Sequence, residues 1–216
     1  MHPADAYSIR PMRRSELGPA LRWAAQEGWN PGLHDAACFY AADPGGFLLG
    51  LLGGEPMACI SVVRYGADYG FLGLYIVRPE HRGHGHGWAL WQAGMARLAG
   101  RAVGLDGVVA QQANYRRSGF ALAHRNVRWQ GVARHGGSAL DAVVDLRSVD
   151  WQQVLDCDRP CFPAGRDDFL RAWVQQSGHH ALGLVQDGRL VAYGVIRPCQ
   201  QGHKIGPLIA DDAAQA

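Results

Sequence analysis

The chain carries one strand plan twice. Aligned without a gap, GLLGGEPMACISVVR (Gly50 to Arg64) matches GLVQDGRLVAYGVIR (Gly183 to Arg197), and the same offset lays LGLYIVRP (Leu72 to Pro79) on IGPLIADD (Ile205 to Asp212). In each copy two apolar, β-type runs flank a turn and a third run follows, which is the pattern of a hairpin and a further strand. The second half is therefore expected to copy the first. A length of 216 residues with 48% hydrophobic content is ample for packed cores under both copies.

The first half reads in order around this repeat. Tyr7 to Arg10 suits an opening strand, and Ser15 can cap a helix that carries Leu17, Leu21, Ala24 and Ala25 on one side until Gly28 stops it. The turn Glu27-Gly28-Trp29-Asn30-Pro31-Gly32 leads to a second short helix with Ala36, Ala37, Phe39 and Tyr40, closed by Asp43-Pro44-Gly45-Gly46. Phe47 to Leu52 and Met57 to Tyr65 form the hairpin, and Tyr69 to Val77 the next strand. Beyond a helix ending near Gly100, Val103 to Val108 reads as a strand, Asn114 to Phe120 as a short helix and Val127 to Val132 as a last strand. This order predicts an α/β fold, a mixed and mostly antiparallel sheet flanked by helices. The glycine-rich shift GVARHGGS, 131–138, divides a unit at 1–134 from one at 140–216, in which Leu140 to Leu146 opens the copy and Asp167 to Ser177 supplies its helix.

The copies part company after the third strand. In the first, Pro79 ends the strand and His81-Arg82-Gly83-His84-Gly85-His86-Gly87 leads into an apolar helical run from Trp88 to Leu98. Glycines let the backbone turn tightly there, and the free N–H groups of the helix start suit a phosphate, with Arg78 or Arg82 able to add charge-assisted bonds. The second copy is expected to be incomplete, because Ala216 corresponds to position 83 and neither loop nor following helix is reached.

Val77-Arg78-Pro79-Glu80-His81-Arg82-Gly83-His84-Gly85-His86-Gly87 resembles the signature of the GNAT acyl-CoA N-acyltransferase superfamily, Arg/Gln-x-x-Gly-x-Gly/Ala, with Arg82, Gly85 and Gly87 on its positions. Tyr115-Arg116-Arg117-Ser118-Gly119-Phe120 is similar to the superfamily's second element, Tyr-x-x-x-Gly-Phe, while Gln111 and Gln112 stand where an asparagine often lies. The resemblance covers roughly residues 7 to 132, and the second half looks like the degenerate copy of tandem GNAT proteins. It implies that Arg82, Gly83, His84, Gly85, His86, Gly87 and Trp88 hold the pyrophosphate of acetyl-CoA (coenzyme A). It also implies that backbone groups near Ile76 and Val77 hold pantetheine and polarise the thioester carbonyl, an oxyanion-hole device. Direct attack by an amine would then need a base and an acid. Tyr115 is the implied general acid. For the base the residues leave several candidates open, Glu27 first, Asp35 close behind it, Glu80 as a poorer choice and a bound water as a further alternative; Trp29 and Asp35 fall on the expected acceptor loop. The expected activity is N-acetyl transfer to a small amine or a peptide N-terminus; the rival reading is a non-catalytic acyl-CoA-binding or regulatory module.

Other patterns carry plainer expectations. His81, His84 and His86 cluster, but no carboxylate or thiol completes a metal set, so no metal is expected. Cys38, Cys59, Cys157, Cys161 and Cys199 form no regular framework and are expected to be reduced, with Cys157 and Cys161 on one helix face. His179 and His180 read as solvated. A net charge of +2 with mixed signs argues against nucleic acid as a partner, and no apolar run near 18 residues or signal layout occurs, so a cytoplasmic location with no membrane contact is expected. An unfinished second sheet would leave an edge to cover the acceptor cleft or to form a homo-oligomer contact.

Overall fold

The computed structural model describes residues 6–132, 142–213 and 215. Its first sheet has the order β1-β2-β3-β4-β5, from Tyr7–Pro11, Phe47–Leu52, Glu55–Tyr65, Tyr69–Val77 and Ala102–Leu105. The first four strands pair antiparallel and β5 runs parallel to β4, as a crossover through a helix demands. The helices of this half are α1 (Leu17–Gln26), α2 (Asp35–Ala42), α3 (His86–Arg97) and α4 (Gln112–Arg117). The second half contains β6 (Val143–Asp145), α5 (Trp151–Asp158), α6 (Asp167–Gln175), β7 (His180–Gln186), β8 (Arg189–Pro198) and β9 (His203–Ala210), and its sheet is antiparallel in the order β6-β7-β8-β9.

The repeated hairpin is present in both sheets, with one correction. Gly53 and Gly54 turn the first at φ +58° and +89°, whereas the second turns at Asp187 and Gly188 at φ +50° and +75°. That is one residue later than the gapless alignment places it. Two-residue hairpin turns of this hand need positive φ at both central positions, and Asp187-Gly188 supplies them better than Gln186-Asp187 can.

β3 is buried on both faces, so its sequence is a continuous apolar run. Ala58, Ile60 and Val62 pack beneath Leu90, Trp91 and Leu98 of the α3 segment. Cys59, Val63 and Tyr65 face the other way and join a core that continues into the second half through Leu146, Val154, Phe169, Leu170, Trp173 and Tyr193. Phe39 of α2 stacks on Phe169 at 5.1 Å and meets the edge of Trp173 at 5.5 Å, while Phe162 lies edge-on to Tyr65 and Tyr69. The halves thus share one apolar core.

Several expectations change. Residues 127–132 form no strand: Val127, Trp129 and Val132 are 70%, 89% and 93% exposed, since alternation alone does not make a strand without a partner to pair with. The opening strand of the second half is Val143–Asp145, residues 140 and 141 lying outside the described set together with most of the glycine-rich divide. Helix α5, capped by Asp150 through Gln152 N at 3.0 Å, was not expected beyond the stretch holding Cys157. Cys157 lies on it, but Cys161 sits exposed in the 3-10 turn that follows. His179 is not solvated but 3% exposed, with Nδ1 2.9 Å from the Trp173 carbonyl; His180 is exposed at the start of β7.

Arg10 of β1 grips both oxygens of Glu16 at 2.7 and 2.6 Å, and the Arg13 amide adds a third bond, so the carboxyl pKa falls to about 2. A depressed carboxyl pKa contributes stability above the unfolded value near 4.5 and loses it on acidification through the folded value. Glu16→Gln is therefore expected to melt below the parent at pH 7, and the gap should close between pH 4.5 and about 2 in thermal melts. A gap that persists at the acid end would show that the pair does not carry it.

Candidate active site

The central feature of the site is a bulge in β4. Ser61 pairs with Gly73 and Cys59 with Ile76, so Leu74 and Tyr75 together stand opposite Ile60, and Leu74 adopts φ +46°. The Cys59 thiol donates to the Leu74 carbonyl at 3.1 Å. Burial pushes this thiol up to about 12, so it stays protonated and able to donate near neutral pH. β5 accompanies β4 only from Tyr69 to Leu72, opposite Ala102 to Leu105. Beyond that point the strands part, and the backbone groups of Gly73 to Val77 that face away from β3 have no strand partner among the described residues. A wedge lined with open peptide groups results.

The glycine loop stands at the end of the same strand. A 3-10 turn at Pro79–His81 leads to Arg82, and Gly83 and Gly85 both take φ +83°, Gly85 forming the N-cap of α3. No side chain caps that helix, so the first-turn amides of His86, Gly87 and Trp88 point into the loop unpaired. Gly87 has a different use. A Cβ there would lie 2.8 Å from Tyr75 Oη and 2.9 Å from Val77 Cγ2, so glycine lets the helix close on β4. The His86 ring packs against Tyr7 at 4.6 Å and beside His84 at 6.2 Å, and Trp88 is 55% exposed.

Arg82 connects two other expected site residues. Its Nε donates to the Val77 carbonyl at 2.8 Å, and its Nη2 ion-pairs with Glu27 at the end of α1. Glu27, the candidate base, thus meets the loop, its carboxylate engaged by Arg82. Glu80 pairs with Arg78. Ile76 is buried beneath the bulge, with Val77 partly exposed beside it.

Tyr115 lies half-buried on α4, its ring stacked on Trp91 at 6.1 Å, and Trp91 in turn meets Tyr75 at 5.4 Å and Phe120 at 5.8 Å. Trp91, which joins these rings, reads in sequence as simply one of the helix's apolar positions. Burial raises the Tyr75 phenol to about 12, with Tyr7 and Tyr115 adding to the shift, so these phenols share one region.

The loop at residues 27–35, expected to bind the acceptor, is built by both halves. Asp35 is 5% exposed, with Oδ2 taking the Gly32 amide at 2.9 Å and Oδ1 the Nε of Arg197 at 2.8 Å. Buried and with both oxygens engaged, it shapes the loop. Trp29 is half-buried beside the shared core, and its carbonyl receives Lys204 Nζ at 2.8 Å. Asn30, at φ +46°, clamps the Gln201 backbone, its Nδ2 donating to the Gln201 carbonyl at 2.9 Å and its Oδ1 accepting from the Gln201 amide at 3.1 Å, and Leu33 N donates to Pro198 O. Arg197, Gln201 and Lys204 were invisible to sequence reasoning because they lie more than 160 positions from the loop they hold.

Comparison with known proteins agrees with this geometry. A model of the acetyltransferase (GNAT) family matches residues 14–120, and a second model, of an acetyltransferase (GNAT) domain, matches residues 154–216. The chain is 29% identical over 214 residues to the holothin acyltransferase of Pseudoalteromonas sp. (strain SANK 73390), covering 99% of this chain and 73% of that one. A solved structure from Pyrococcus horikoshii, assigned as an acetyltransferase, superposes with a TM-score of 0.73 at 18% identity, over 97% of this chain and 73% of that chain. Both halves, as one continuous arrangement, therefore have a counterpart in a known fold. With a bulged and splayed β4, a glycine loop at the start of α3 and two family models along its length, the chain belongs to the GNAT acyl-CoA N-acyltransferase superfamily.

Proposed function

We propose that the chain transfers an acetyl group from acetyl-CoA to an amine, a small molecule or a peptide N-terminus, within a ternary complex held between the glycine loop and the acceptor loop. What carries this reading is that the parting of β4 from β5 and the anion-binding loop occur on one strand, a few residues apart. The residues suit the coenzyme: a Cβ on Gly83 or Gly85 would meet nothing within 4 Å, so the loop presents bare backbone to open space. When bound, acetyl-CoA supplies the activated thioester. The amides of residues 83–88 and the positive end of α3 take the pyrophosphate, and Arg82 is placed to add its charge. Open β4 groups near Ile76 and Val77 orient the pantetheine arm, and an amide there can donate to the thioester carbonyl, which elsewhere contributes about 2.7–4 kcal/mol per donor. Once Arg82 turns to phosphate, the Glu27 carboxylate is released to take the amine proton, directly or through water. Tyr115 Oη, carried by α4, gives a proton to the departing sulfur.

The test is thiol release from acetyl-CoA with a panel of amines. Tyr115→Phe should lower kcat by about 100-fold, the low end for a lost general acid, with little change in coenzyme affinity; an unchanged kcat across pH removes Tyr115 from the proton path. The engagement of Glu27 by Arg82 favours one other reading, a coenzyme-binding module without turnover. Tight acetyl-CoA binding with no thiol release from any amine would establish that alternative.

A further inference from the structure

Lys204 is the only lysine in the chain, every other fixed cationic side chain being arginine. It stands on β9 and reaches across from the second half to the Trp29 carbonyl on the acceptor loop. On the near side of that loop, two positions before Trp29, Glu27 meets Arg82 of the glycine loop. Lys204 therefore holds the loop two residues from the point where it meets the glycine loop.

Among the described residues its charge has no carboxylate as ion-pair partner, and Asp35, whose charge reaches it, is already committed to Arg197 and the Gly32 amide. Arg128 also faces Lys204, on an exposed stretch and likewise without a carboxylate partner among the described residues. Partial burial first, then Arg128 and Arg197, lower the lysine pKa, with Cys199 and Asp35 opposing the shift. A carbonyl contact uses one of the three ammonium protons, leaving two donors. Beside this spot Leu33 is 54% exposed on the loop, offering apolar surface for the body of a small molecule.

We infer that the acceptor amine carries an anionic group, a carboxylate or a phosphate, and that Lys204 receives it at the seam between the two halves. Lys204 is then a specificity-determining residue, setting which amine is used while the glycine loop sets the acyl donor. This inference rests on the proposed acyl transfer but concerns acceptor binding, so it is testable without turnover.

The experiment is calorimetric binding to the coenzyme A-saturated chain, with thiol release in parallel, for paired probes: leucine against isoamylamine, phenylalanine against phenethylamine, and O-phosphoethanolamine against ethanolamine. Tighter binding of at least one anionic member, about 10-fold or more, is expected, worth roughly 1.4 kcal/mol. The amino-acid and phosphate arms separate the two anions. Lys204→Met should abolish the preference and Lys204→Arg retain part of it, while coenzyme A affinity stays unchanged in both. Equal binding within every pair, or a preference that survives Lys204→Met, overturns the inference even if neutral amines are acetylated. Anion-selective binding that depends on Lys204, without thiol release, supports it and instead removes the turnover reading.

Discussion

Gly85→Glu is expected to weaken acetyl-CoA binding by about 100-fold in isothermal titration, with the melting temperature moving by only a few degrees. Two effects add at this position. Gly85 sits at φ +83°, where a residue with a Cβ costs roughly 1–2 kcal/mol, so the loop would leave its binding geometry for part of the time. A carboxylate at the N-cap also places negative charge where the helix dipole and three unpaired amides would receive phosphate, an effect of about 0.3–2 kcal/mol per charge. Together they reach about 1.3–4 kcal/mol, and each 1.4 kcal/mol is tenfold. Because a Cβ at Gly85 meets no neighbouring atom within 4 Å, the cost falls on the ligand rather than on packing. Binding unchanged within threefold would remove this loop from the coenzyme site. Gly87→Glu is a poorer probe, since its side chain would collide with Tyr75 and Val77 and lift α3 from the sheet.

Arg197→Ala should be the most damaging single change to stability, lowering the melting temperature by on the order of 10 °C. The Asp35 and Arg197 side chains are 7% and 14% exposed, and Arg197 also lies over the Trp173 ring at 4.8 Å. Removing one partner strands a buried carboxylate, which costs about 3–5 kcal/mol. For a chain of this size each kcal/mol moves the midpoint by about 2–4 °C. Asp35→Asn should cost less, because the amide keeps one acceptor and loses the charge. The double variant Asp35→Leu with Arg197→Met should recover much of the loss, since no buried charge is left unpaired. If the single and double variants melt alike, the pair does not join the halves energetically.

Much of the first half could be read from residue type alone. Gly83, Gly85 and Gly87 announced the loop because positive φ and close helix–strand approach leave few choices of residue. The repeated hairpin was visible because apolar strands separated by a turn leave a pattern in the chain. Its register was not visible, as a one-residue difference leaves the apolar pattern nearly unchanged while turn geometry selects Asp187-Gly188. Residues 127–132 show the opposite failure: they alternate like a strand but face solvent, because strand formation needs a neighbour that sequence does not supply.

What the sequence by itself determined is the family, the strand plan and the glycine loop, all local properties of backbone conformation and apolar spacing. The tertiary structure alone decided the acceptor side. It engaged Glu27 with Arg82, turned Asp35 into the anchor of a buried ion pair and brought Arg197, Gln201 and Lys204 from the second half onto the loop at Trp29. The physical reason is that buried charges and polar backbone groups must find partners wherever packing places them, and those partners are fixed by which surfaces share a core, not by distance along the chain.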